Sequence, residues 1–217
     1  METLKLNPIL ETLLENTQTI WVDIDGTLSD TIGAALAEIR RRYGDVMDLS
    51  GWKSWNPHQI PELQRVGIAT IEDTIDLFYS ILKKWWSQVV APVADSQEGI
   101  EKLQMLWKKL IALSGRMENS REYTTGWLEE NYPWVFQKIL LTDHDTPKQV
   151  PKYQIAREQG IWLMIEDNAG YAIDLATHGI PTILLEASWN TEFDTSSHPS
   201  IHRVKDWKEI STLLLHL

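Results

Sequence analysis

The sequence predicts an α/β fold: a doubly wound, Rossmann-like, mostly parallel five-stranded sheet flanked by helices. Short apolar runs without polar alternation recur along the chain, as strands buried on both faces of a parallel sheet require. Helix-length segments with apolar residues at three- and four-residue spacing separate these runs, and such alternation implies βαβ units. One interval, from about residue 43 to about residue 96, breaks the alternation and holds no convincing buried strand.

The first strand is predicted at residues 20–24, with Asp30 placed to cap the helix that follows. The next interval holds Trp52, Trp55, Trp85 and Trp86 together with helical text such as EDTIDLFYSILKKWW. It reads as a small helical cap inserted after the first strand and helix, so that residues 1–43 and 97–217 form the core domain and 44–96 the cap. Insertions of this kind often act as lids. The plainer reading of any single Trp here is packing within the insertion's own core. EGIEKLQMLWKKL puts Ile100, Leu103, Leu106, Trp107 and Leu110 on one side of a helix, before a second strand at residues 110–113. SREYTTGWLEEN is a helix and residues 139–141 a strand; KYQIAREQG is a helix, followed by strands at 162–165 and 182–185. VKDWKEISTLLLHL closes the chain as an amphipathic helix.

A formal net charge of -11 disfavours binding to a nucleic acid polymer or to an anionic membrane, since both rely on clustered Lys and Arg. A small anionic substrate is compatible if local cations or a metal receive it. Cysteine is absent, which removes a disulfide framework and a thiol nucleophile. The N-terminal text lacks a basic stretch followed by an apolar core, and no run approaches the roughly 18 apolar residues of a membrane span. A cytoplasmic location is the default expectation, and a homo-oligomer is left open.

In open α/β sheets the ligand crevice lies outside the carboxyl ends of the strands. Each predicted strand here ends in polar residues: Asp23 and Asp25; Ser114, Gly115 and Arg116; Thr142, Asp143, His144 and Asp145; Glu166, Asp167 and Asn168; and Glu186. Strand alternation sends Asp23 and Asp25 the same way, and two carboxylates held together resist joint ionisation unless a cation joins them. A hard divalent ion resolves the conflict, and Mg2+ suits an all-oxygen site that also meets phosphate. Asp167 is a third anchor, and zinc is disfavoured by the lack of Cys and of a clustered His pair. A solvated loop is the favoured reading of His144 over a metal ligand, and Asn168 and Asp174 read as structural.

These residues resemble the haloacid dehalogenase (HAD) superfamily, whose members are mostly phosphatases. The first family motif matches Asp23, Asp25, Gly26 and Thr27, the second Ser114 in IALSGR, the third Lys152 in PKYQIAREQG, with Lys148 a substitute, and the fourth Glu166 and Asp167 in LMIEDN. A narrower resemblance is to the 5′-nucleotidase group that includes the deoxyribonucleotidases. This chain has Glu166 where that group usually has Asp, and Ser114 where many members have Thr. The resemblance implies a Mg2+-dependent phosphomonoesterase acting on a small-molecule phosphoester, in the narrower case a nucleoside monophosphate. It implies Asp23 as nucleophile, Asp25 as acid and base, and Mg2+ held by Asp23, the Asp25 carbonyl and Asp167. Ser114, Gly115 and Lys152 would bind phosphate, and Glu166 would act through a metal-bound water or by orienting Lys152. Arg116 either contacts substrate phosphate or solvates a loop. A sugar phosphate substrate, a phosphotransferase and a non-catalytic binding module are the rival readings.

Overall fold

The computed structural model describes residues 12–13, 15–83, 90–160 and 163–214. Six strands, β1 (Thr19–Val22), β2 (Lys109–Ser114), β3 (Phe136–Leu141), β4 (Met164–Glu166), β5 (Thr182–Leu185) and β6 (Ile201–Val204), form one sheet in the order β3-β2-β1-β4-β5-β6. Every pairing is parallel, so all six carboxyl ends lie along one edge. Strand order runs outward one way from β1 to β3 and the other way from β4 to β6. The crevice position is therefore between β1 and β4.

The helices are α1 (Thr31–Tyr43), α2 (Pro61–Gln64), α3 (Ile71–Leu82), α4 (Ser96–Met105), α5 (Arg121–Asn131), α6 (Lys152–Glu158), α7 (Ala169–Thr177) and α8 (Trp207–Leu214). Asp30 caps α1, its Oδ1 accepting from the Gly33 N–H at 2.9 Å. Thr70 and Asp73 form a reciprocal capping box that starts α3. Asn168 caps α7 by accepting from the N–H groups of Gly170 and Tyr171.

The sheet is covered on both faces, which explains why its strands read as unbroken apolar runs. Ile20 and Val22 of β1, Leu110 and Ala112 of β2 and Ile183 of β5 pack with Ile100, Leu103, Trp127 and Trp207. On the other face Trp21, Ile111, Leu113 and Met164 meet Ala156 and Leu175. A third cluster joins Ile32, Ala35 and Ile39 of α1 to Trp52, Ile60, Leu63, Ile68, Leu77 and Ile81. The interval between α1 and α4 thus has its own apolar core, and α1 contributes to it. Its described elements are helical: α2, α3 and two 3-10 turns. Among the described residues no helix is long and apolar enough to cross a membrane.

Two expectations need correction. The sheet has six strands, not five: β6 reads Ile-His-Arg-Val, with only its two ends buried, so it never forms an apolar run. The helix before β2 ends at Met105; Trp107 takes a left-handed φ of 59° and is 91% exposed, while Leu110 belongs to β2. Trp107 therefore leaves the apolar stripe assigned to it. The expectations that fall on Trp85, Trp86 and Trp162 lie outside the described residues.

Candidate active site

The site begins where β1 stops. Asp23 follows Val22 directly, and its N–H donates to the Ile165 carbonyl of β4 at 3.0 Å, fixing it beside the β1/β4 crevice. The chain then turns tightly: the N–H groups of Leu28 and Ser29 both donate to the Ile24 carbonyl, and Gly26 takes φ 80°. A Cβ at Gly26 would lie 2.3 Å from Asp167 Oδ2, so this position requires glycine both for its dihedral and for the approach of the carboxylate.

Asp23, Glu166 and Asp167 are all buried and present oxygens within 4.8 Å of one another. Lys152, at the start of α6 and 1% exposed, donates to Asp23 Oδ1 at 2.5 Å and to Glu166 Oε1 at 2.8 Å. Glu166 also accepts from the N–H of Asp167 at 2.9 Å. Asp167 accepts from Thr27 Oγ1 at 3.1 Å and from Trp189 Nε1 at 2.9 Å, while its carbonyl accepts from Asn190 Nδ2. Burial first, then the Glu166 charge, pushes the Asp23 carboxyl up to about 8 against the pull of Lys152. Asp167 is raised by burial and by the Glu166 and Asp23 charges. Burial opposes the charge on Lys152, but Asp23 and Glu166 outweigh it and hold the ammonium above its usual range.

Three carboxylates facing one ammonium leave an excess of negative charge in a buried, all-oxygen pocket. That donor set fits a hard divalent cation such as Mg2+, because a cation would relieve the repulsion that raises Asp23 and Asp167.

Asp25 lies in a different environment. Arg116 grips its carboxylate with two nitrogens, Nε at 2.9 Å from Oδ2 and Nη2 at 2.7 Å from Oδ1. Thr31 Oγ1 donates to it at 2.6 Å and Ser114 Oγ at 3.3 Å. Burial would raise this carboxyl, yet the Arg116 charge and these hydrogen bonds hold it below its ordinary value. Arg116 is itself buried, with Nη1 donating to Thr124, so it is not a solvating loop residue. Lys148 is exposed, and Lys152 is the lysine among the carboxylates. Asp23, Asp25, Ser114, Gly115, Arg116, Lys152, Glu166 and Asp167 thus come together at one sheet edge, from residues far apart in the chain.

A cavity of about 140 Å³ opens from Asp23, Asp25, Gly115 and Arg116 toward Trp55, Asn56, Phe78 and Tyr79 of the helical interval. His144 and Tyr171 also line it. Sequence reading passed over Thr31, Tyr171, Trp189 and Asn190. Only Tyr171 carried a signal, standing one helical turn beyond Asp167 at the start of α7.

No family model and no curated protein matches the sequence. Solved structures do. A HAD-superfamily hydrolase from Ehrlichia chaffeensis superposes with a TM-score of 0.57 at 17% identity, over 93% of this chain and 97% of that one. The chain has the HAD hydrolase fold. A predicted phosphoglycolate phosphatase from Haemophilus somnus shares the HAD architecture at TM-score 0.62 and 15% identity, over 91% of this chain and 97% of that one. CbbY from Rhodobacter sphaeroides, in complex with phosphate, matches at TM-score 0.57 and 15% identity, over 93% and 100% of the two chains.

Proposed function

We propose that the chain is a Mg2+-dependent phosphatase that hydrolyses a small phosphomonoester through an aspartyl-phosphate on Asp23. The observation that carries this reading is Lys152, buried between Asp23 and Glu166 with Asp167 alongside, in the crevice of a HAD fold. Such a cluster is a poor choice for stability alone, since buried charges of this density cost more than an apolar core of the same volume.

Asp23 and Asp167 would hold the ion, with the Asp25 carbonyl as a further oxygen, while Glu166, accepting from Lys152 through Oε1 and from the Asp167 N–H through Oε2, orients Lys152. When bound, it would neutralise charge on the carboxylates and phosphate and so let two anions approach. Asp23 attacks phosphorus and the P–O ester bond breaks, while Asp25 gives a proton to the leaving oxygen. Asp25 then takes a proton from the water that attacks the acyl phosphate, releasing phosphate and restoring the Asp23 carboxylate. To carry that proton Asp25 must loosen from Arg116 as substrate enters. Ser114 and the backbone at Gly115 donate to phosphoryl oxygens, and Lys152 balances charge on the transferring group. Segment 44–96 serves as the cap that closes the cavity. Within this class we place the chain nearest the 5′-nucleotidases, with Trp55, Phe78 and Tyr79 as an aromatic wall for a base. A sugar phosphate or other small phosphoester is the second reading; that CbbY, which shares the fold, holds a phosphate supports a phosphoester of either kind.

Phosphate release from p-nitrophenyl phosphate, nucleoside monophosphates and sugar phosphates, with and without Mg2+, tests the assignment. Asp23→Asn is expected to lower turnover by about 10³-fold or more. Turnover independent of Mg2+, or equal in Asp23→Asn, overturns it.

A further inference from the structure

Two residues that line the cavity each hold an enclosed polar atom with no hydrogen-bond partner: the Tyr171 hydroxyl and His144 Nδ1. Their rings meet edge to face at 5.4 Å between centroids. Both close on Gly115, where a Cβ would stand 3.1 Å from the Tyr171 hydroxyl and 3.3 Å from the His144 Cβ. Lys152 Nζ lies 4.2 Å from the centre of the Tyr171 ring, so this pair borders the phosphate end of the cavity. Buried polar atoms are rarely left unpaired without a reason, and a ligand is one such reason.

The chemistry of the pair is directional. Tyr171 offers a hydroxyl donor. His144 Nε2 faces Asp145 Oδ1 at 3.3 Å, which favours the proton on that nitrogen and leaves Nδ1 as an acceptor. A donor beside an acceptor matches an alcohol, which both accepts and donates. It does not match a carboxylate, which only accepts. The cavity's charge agrees: Arg116, the one Arg or Lys among its described lining residues, is engaged with Asp25, Thr124 and Ser29. Among the described residues, no free cation lines it to receive a second anion.

We propose that Tyr171 and His144 form a hydroxyl-binding subsite that selects phosphoesters whose leaving group carries an alcohol near the ester oxygen, an inference that rests on the phosphatase reading. The pair is specificity-determining: it orients the leaving group and takes no part in bond cleavage.

The test is the ratio of kcat/KM for glycerol 1-phosphate to that for propyl phosphate, which differ only in hydroxyls, with 2-phosphoglycolate as the carboxylate arm. The wild-type protein should favour the glycerol ester by about 10-fold or more, and favour it over 2-phosphoglycolate. Tyr171→Phe keeps the ring over Lys152 and should reduce the glycerol-to-propyl ratio by about 10-fold, with His144→Ala moving it the same way. A structural role would lower all three esters together and leave the ratio unchanged. A ratio within twofold of wild type in both variants, or a wild-type preference for 2-phosphoglycolate, overturns the subsite while leaving the phosphatase assignment standing. Hydrolysis of nucleoside monophosphates or p-nitrophenyl phosphate but of none of the three esters overturns the subsite alone, and hydrolysis of none of these, nor of sugar phosphates, overturns the phosphatase reading and the subsite with it.

Discussion

Gly26→Ala tests the tightest contact of the site. Gly26 has φ 80°, and the new methyl would stand 2.3 Å from Asp167 Oδ2, 2.8 Å from its Cγ and 3.0 Å from the Trp189 ring. The left-handed backbone alone costs an alanine about 1–2 kcal/mol. Relieving the overlap requires Asp167 to retreat by roughly 1 Å, which breaks its contact with Trp189 or Thr27 and adds about 1–3 kcal/mol for a buried group left unpaired. Gly179→Ala separates the two contributions, because Gly179 ends α7 with φ 78° and has nothing within 4 Å of its would-be Cβ. In urea unfolding, Gly179→Ala should lose about 1–2 kcal/mol and Gly26→Ala about 2–5 kcal/mol. Titration calorimetry with Mg2+ should show weaker binding in Gly26→Ala and unchanged binding in Gly179→Ala. Equal destabilisation of the two variants, with equal Mg2+ affinity, would refute the close-approach reasoning.

Two further predictions concern buried groups. Lys152→Met leaves Asp23 and Glu166 buried without their cation and should cost about 3–5 kcal/mol at neutral pH by urea unfolding; a loss below about 1 kcal/mol would show that the cluster is not held by charge. The Tyr132 hydroxyl, between Ser96 Oγ at 2.6 Å and the Leu28 carbonyl at 3.0 Å, is pushed up by burial, so the unfolded chain ionises first as pH rises past about 10. Stability is therefore full below that pH and lost above it. Tyr132→Phe should cost about 1–3 kcal/mol at pH 7 and flatten the alkaline fall in Tm, and an unchanged alkaline slope would contradict the assignment.

Much of this arrangement was legible in the residues themselves. A parallel sheet buried on both faces demands unbroken apolar runs, and β1, β2 and β5 supply them, so the polar residues after each run fell at one edge. β6 escaped because an edge strand with His202 and Arg203 at its centre needs no such run; Arg203 instead donates to the carbonyls of Asn190 and Phe193. Trp107 escaped because apolar spacing continues past the point where the backbone turns left-handed. The pairing of Arg116 with Asp25 joins residues 91 positions apart, and no periodicity encodes it. His144 read as a loop residue because its neighbours are acidic, although the turn after β3 folds it against Tyr171. Trp52 proved to be core, as the plainer reading of an insertion Trp expects, whereas Trp55 reaches the cavity.

The turn after β1 crosses between two apolar bodies within a few residues: Leu28 belongs to the sheet's core and Ile32 to that of the helical interval. Asp23 is anchored wholly on the sheet side, through Ile165 and Lys152. Asp25 straddles the seam, held by Ser114 and Arg116 from the sheet and by Thr31 from the far side. Asp23, the proposed nucleophile, thus takes no hydrogen bond from the described residues of the interval. The seat of Asp25, the proposed proton carrier, works like the pivot of a balance: a shift of one body against the other would change the contacts that hold it.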